Sequence, residues 1–230
     1  MPHDLPPWQT VYWYFKTWTD DSTFTDLNYD LNGSVSNKSG RRTEPTASIM
    51  DSQSVKTSIN VPITTQGIDA GKRTVGRKRG IITDTLGLLL AVIVTAAAAA
   101  ASASASDNAI GIDLLDRATY AYPTLSKTWV DAGFKTKVVE HGAALGVDVE
   151  IVTKDTQVKG FSVIKRRWVV ERAIGWLMQH RRVARDYETL SATSATMIRI
   201  TMIDNLTKRA ACMLTVAFGC TGFVAPWLPE

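Results

Sequence analysis

Cysteine and histidine are scarce in this 230-residue chain: Cys212 and Cys220 lie within the last twenty residues, and His3, His141 and His180 are far apart in sequence. Neither set has the spacing of a zinc cage or a redox pair, which argues against a His/Cys metal centre and against thiol chemistry. The sequence also lacks a G-x-x-x-x-G-K-[ST] phosphate loop, a G-x-S-x-G elbow and an H-E-x-x-H helix. Ser52 and Ser54 follow Asp51, but no histidine is placed to serve them. The opening Met-Pro-His-Asp-Leu-Pro-Pro has neither the charged start nor the apolar core of a secretory signal. Charged residues are what is left to carry chemistry.

A long uncharged run raises a membrane question. Residues 85–106 contain no charged side chain, close to the roughly 20 residues that a spanning helix needs. The first half, however, is a β-branched and leucine-rich run suited to a buried strand, and the second is an Ala/Ser tract of weak hydrophobicity. We therefore read a strand followed by a low-complexity join, and expect no membrane association. The net charge of +4 and pI of about 9.1 suit a polyanionic partner where the cations cluster.

Trp8, Val11, Tyr12 and Phe15 follow Pro6-Pro7 at helical spacing, predicting an N-terminal amphipathic helix. Residues 20–46 read as a second, weak helix and then a linker around "NGSVSNKSGRRTEP". "ASIM" predicts a strand that Asp51 leaves, and "INVPITTQGIDAGK" a loop. "KRGIITDTLGLLLAVIVTA" predicts two strands joined at "DTLG". Residues 107–125 read as a helix, "TWV" as a strand ending at Asp131, and a helix stops near Gly146 before a strand from Val147 to Val152. A long helix from Ile164 to Asp186 and another from Ser194 to Arg209 follow. The order βββαβαβα is that of a ribonuclease-H-like α/β domain, a mixed sheet flanked by helices. We expect residues 1–44 to form a helical remnant and linker, 45–209 the catalytic domain, and 210–230 an atypical tail.

In that order the first and fourth strands lie side by side, so Asp51 and Asp131 reach one sheet edge, where open α/β sheets keep their ligands. Glu171 falls on the polar face of the long helix, with Arg167, Arg182 and Arg185 near it on the helical wheel. An acid among arginines reads equally as a solvated salt-bridge helix. Together, the three acids suit Mg²⁺ or Mn²⁺, since hard cations take carboxylate and water, and two such ions act on phosphodiesters. Asp84, near another strand end, is expected to be structural.

The stretch "GKRTVGRKRG" puts Lys72, Arg73, Arg77, Lys78 and Arg79 into eight residues. It reads either as a solvated strand entry or, with Arg167, Arg181 and Arg182, as a phosphate-backbone contact surface.

These residues resemble a known family, the bacterial insertion-sequence DDE transposases of the insertion-sequence-five type, within the insertion-sequence-four-like superfamily. The resemblance is carried by "PPWQTVYWYFKTW", "DSQSVKT", "GIDAGKRTVGRKRGIITDTLGLLLAVIV", "WVDAGF" and "RRWVVERAIGWLMQHRRVARDYE". It implies a ribonuclease-H-like domain, two divalent ions, and cleavage and strand transfer on double-stranded DNA at terminal inverted repeats. Carried over, the first acid is Asp51, the second Asp131 and the third Glu171. Arg167 matches the arginine four residues before that glutamate, and Arg181 or Arg182 matches the basic residue further on. It also implies a homo-oligomer on DNA and a cytoplasmic, nucleoid-associated place. Members carry several dozen residues before the "PHDLPPW" block, so the chain is expected to be truncated there. Gly80 stands where a histidine is common, and the Ala/Ser tract and the last twenty residues depart from the usual pattern. The alternative reading is a catalytically inactive DNA-binding remnant.

Overall fold

The two apolar runs "GIITD" and "LLAVIVTA" form neighbouring antiparallel strands of one sheet. The computed structural model describes residues 4–69, 73–96, 103–153 and 166–217. In chain order the elements are α1 (Trp8–Asp20), α2 (Thr23–Lys38), β1 (Ala47–Lys56), β2 (Gly67–Asp69), β3 (Thr74–Asp84), β4 (Leu89–Ala96) and α3 (Ala103–Ala121). There follow β5 (Lys127–Val130), α4 (Thr136–Ala144), β6 (Asp148–Ile151), α5 (Arg167–Met178), α6 (Arg181–Ala184) and α7 (Ser191–Ala217). β1 pairs antiparallel with β3 on one side and parallel with β5 on the other, and β6 continues in parallel beyond β5. The far side of β3 carries β4 and, at its N-terminal end, the short β2. This is the expected mixed sheet flanked by helices, of ribonuclease-H-like class.

Alternation along the strands divides the core into two layers. Met50, Ile82 and Leu90 pack with Ile110, Leu114 and Phe134 on the α3 and α4 side. Ile49, Ile81 and Val92 pack with Val170, Leu177 and Ile198 on the α5 and α7 side. Each fully buried side chain of this kind contributes about 1.5–3 kcal/mol. Gly80 sets the approach of α3, because a Cβ there would stand 2.1 Å from Ile110 Cγ2.

Four sequence expectations differ from the structure, the simplest being that the expected loop "INVPITTQGIDAGK" carries β2. The supposed linker "NGSVSNK" is the second half of α2, held because Asn28 and Asn32 donate to the Leu89 carbonyl at 2.8 and 2.7 Å and Val35 packs with Leu88 and Leu206. The strand does not end at Asp51: the polar run "DSQSVK" stays extended because each of its residues is paired with β3. The long helix breaks at His180, whose backbone is extended. Unbroken, it would carry Val183 about 120° from Leu177 at 3.6 residues per turn; the break returns Val183 to the core. The wheel therefore does not extend from Glu171 to Arg182 and Arg185. The long 85–106 run is strand β4 as far as Ala96, residues 97–102 lie outside the described residues, and no described helix is long and apolar enough to cross a membrane. The α1 helix buries none of its residues. Asp84 is taken up by the β3–β4 turn, where its Oδ1 accepts the Leu86 and Leu88 amides, and burial raises its pKa.

Arg77 ties the sheet to the segment before α7. Its guanidinium lies 3.3 Å from the Asp186 carboxylate, both side chains fully buried, and it donates to the carbonyls of Thr65, Glu188 and Thr189. Asp186 also accepts from Ser194 at 2.6 Å. Removing one partner of a buried pair strands the other charge. Arg77→Met is therefore expected to lower the unfolding free energy by about 3–5 kcal/mol in urea denaturation, and adding Asp186→Leu should recover part of that loss.

Candidate active site

Asp51 is two residues beyond Ile49 on β1 and so shares its face, the one covered by α5. Beside it, β5 pairs with β1 only as far as Ile49 and Trp129. Where that parallel ladder ends, the chain after β5 turns away through Asp131, whose Oδ1 accepts the Gly133 amide at 2.9 Å. Both carboxylates thus come to one sheet edge. The third comes from α5, where Glu171 is one turn from Arg167 at the helix start.

Arg167 is the centre of this arrangement. Its Nη2 lies 3.6 Å from Asp51, 3.9 Å from Asp131 and 3.3 Å from Glu171. Three acids from a strand, a loop and a helix therefore face one guanidinium, which is suited to planar anions. The site opens outward: side-chain exposure rises from 11% at Asp51 to 28% at Asp131 and 53% at Glu171. Desolvation should accordingly fall mainly on Asp51. Burial pushes the Asp51 pKa up to about 6; the Asp131 and Glu171 charges add to the rise, while Arg167 and the Ser52 amide oppose it.

The donor chemistry, carboxylate oxygen only, matches what hard divalent cations take. The spacing is another matter: no group of three His, Cys, Asp or Glu side chains among the described residues is placed to hold a metal ion. The three acids are arranged about Arg167.

The basic stretch that leads into β3 is divided by burial. Lys72 lies outside the described residues, and Arg73 is exposed. Arg77, Lys78 and Arg79 are buried, because the strand that carries them runs between β1 and β4 with helices on both faces. Arg77 is held by Asp186, Lys78 by Asp107 at 2.6 Å, and Arg79 donates to the Val183 carbonyl at 2.6 Å. Arg181 and Arg182 are exposed beyond the helix break, and Arg182 pairs with Glu188 at 2.6 Å. Sequence reading weighed Ser52 only as a nucleophile and missed Asp107: the Ser52 hydroxyl donates to Asp107 at 2.8 Å beside the site. The only signal was an acid at the start of a helix, which is commonplace.

The Asp51 shift has a testable sign. Its folded pKa of about 6 stands above the ordinary 3.8, so the charged form opposes folding. That cost is absent below the unfolded pKa, grows through the interval and is complete above the folded pKa. In chelator, Asp51→Asn should exceed the parent chain in stability by about 3 kcal/mol at pH 8, with the advantage vanishing near pH 4. Urea denaturation at both pH values measures it; a pH-independent difference would show that Arg167 fully compensates the burial.

No curated protein matches the chain. Comparison with protein families matches residues 42–206, from just before β1 into α7, to the transposase DDE domain. Acids drawn from a strand, a strand end and a helix around one edge of a mixed sheet fall within that match, and the chain belongs to the DDE transposase family.

Proposed function

We propose that the chain is a DNA transposase of the insertion-sequence-five type. In this reading Asp51, Asp131 and Glu171 cut phosphodiester bonds at transposon ends, and the freed 3′ hydroxyl is joined to target DNA. The observation that carries it is the convergence of the three acids, from separate elements, within 4 Å of a single Arg167 nitrogen. Members of the family act on DNA and generally use divalent metal ions. Asp51, Asp131 and Glu171 would hold Mg²⁺ or Mn²⁺, which supplies an activated oxygen nucleophile and charge stabilisation at the leaving oxygen.

The chain's own groups have separable roles. Asp51, the most enclosed acid, is fixed by the Ser52 amide at 2.7 Å. Glu171, the most exposed, is free to adjust to a substrate. Arg167, already facing anions on three sides, is equally suited to pair with a phosphate. Exposed Arg73, Arg181 and Arg182 contact the DNA backbone in this reading, in a manner weakened by salt and indifferent to sequence. Assembly as a homo-oligomer on DNA in the bacterial nucleoid belongs to the same reading.

The inactive DNA-binding reading has one observation in its favour, that the acids are arranged about Arg167 rather than spaced for an ion. Nicking of labelled DNA that carries the element's own ends separates the two. The parent chain should cut at those ends only with Mg²⁺ or Mn²⁺, and Asp51→Asn and Glu171→Gln should each lower the rate on the order of a hundredfold or more. Binding without cutting by the parent chain would favour the inactive reading, and undiminished cutting by either variant would remove that acid from the mechanism.

A further inference from the structure

On the sheet face opposite Arg167, Lys78 and Asp107 make an ion pair of 2.6 Å, with side chains only 8% and 11% exposed. The Asp107 oxygen that meets Lys78 also accepts the Ser52 hydroxyl at 2.8 Å. Ser52 in turn donates its amide to Asp51. The other Asp107 oxygen lies against Gly133: a Cβ there would stand 3.4 Å from it and 3.0 Å from Asp131 Oδ1. Gly133 thus fills the narrow space between two carboxylates, and its amide is the one that holds Asp131. The following residues of α3 continue the contact, with Asn108 accepting the Lys135 amide at 2.8 Å and Gly111, one turn on, leaving room for the Phe134 ring.

We propose that Lys78 and Asp107 form a positioning pair for the acid site, fixing Ser52 on one side and the Asp131–Lys135 loop on the other so that Asp51 and Asp131 keep their separation. Asp107 acts through its neighbours and is not itself one of the three proposed catalytic acids. The proposal rests on the reading of Asp51 and Asp131 as those acids. Its physical basis is independent of it. Lys78 is confined to this face by the alternation of β3, while Asp107 enters from α3, an element that contacts neither Arg167 nor Glu171 through any ion pair or hydrogen bond identified among the described residues. Nearly buried charges bind each other strongly only at good geometry, so a pair that also meets Ser52 and borders Gly133 resists displacement of both.

Two readouts test this on the full chain. Asp107→Asn keeps the shape and an oxygen acceptor but removes the anion. The double variant Lys78→Met with Asp107→Asn leaves no stranded charge and guards against simple unfolding, while Lys78→Arg keeps the cation. Hydrogen exchange of the Ser52 and Gly133 amides is expected to quicken about tenfold or more in the first two variants, relative to amides in β4, and to be restored in Lys78→Arg. Mn²⁺ alone, titrated by electron paramagnetic resonance, should bind the first two about 10–100-fold more weakly, the usual effect of removing an outer partner of a ligand. Unchanged exchange at both amides would overturn the proposal, as would lowered thermal stability with unchanged Mn²⁺ affinity. If the parent chain binds no Mn²⁺ and Asp51→Asn changes nothing, the metal reading fails, and the exchange measurement still decides the positioning role.

Discussion

The centre of this protein is governed by the need to balance three consecutive cations inside a sheet. β3 carries Arg77, Lys78 and Arg79 between β1 and β4, where alternation sends the arginines to one face and the lysine to the other. None of them reaches bulk water, and an unpaired buried charge costs several kcal/mol. Thr65 apart, the partners come from later in the chain: Asp107 near the start of α3, and Val183, Asp186, Glu188 and Thr189 before α7. One strand thus fixes where the helical layers on both faces begin. Buried pairs of this kind contribute little net stability compared with apolar replacements, but they admit only one arrangement of the elements that supply them.

That arrangement is what brings the acids together. β1 lies between β3 and β5, and the parallel ladder with β5 stops at Ile49, so the carboxylates of Asp51 and Asp131 meet at the same edge. α5 packs over this face through Val169, Val170 and Leu177, which places Arg167 and Glu171 on its outward side, toward the edge. Gathering three negative groups is unfavourable by itself. Arg167 offsets the repulsion, and the raised pKa of Asp51 shows that burial outweighs that help for the most enclosed acid. A site that opposes its own folding in this way is a common feature of functional centres.

Much of this was legible in the sequence, because strand and helix order depends on local pattern. The "TWV" strand, the α4 and β6 unit and the two strands joined at "DTLG" are where periodicity put them. The errors arose where a distant partner overrode local composition. "DSQSVK" follows the expected strand end at Asp51, yet pairing with β3 keeps it extended; "NGSVSNK" reads as linker, yet Leu89 and Leu206 make it helix. The basic run is where local composition says least about burial. Five cations in eight residues look solvated, and the acids that neutralise Lys78 and Arg77 lie about 30 and about 110 positions away. No window of sequence shows that pairing. In the structure Gly76 and Gly80 flank it, and a Cβ at either would strike Val55 or Ile110, which marks a packed strand rather than a free one.

In the proposed function, the burial of these cations also narrows where DNA is held. With Arg77 and Lys78 committed to Asp186 and Asp107, and Arg79 to a carbonyl, the charges of β3 add little to the field outside the protein. Arg167 is closest to the acids, while Arg181 and Arg182 follow on the far side of the helix break. A straight helix would have held these arginines in fixed register with Glu171; the extended backbone at His180 instead gives α6 its own orientation, set by burial of Val183. In the proposed function, the direction in which the exposed arginines meet a phosphate backbone is therefore decided by an apolar contact in the core, and not by the helix that carries Glu171.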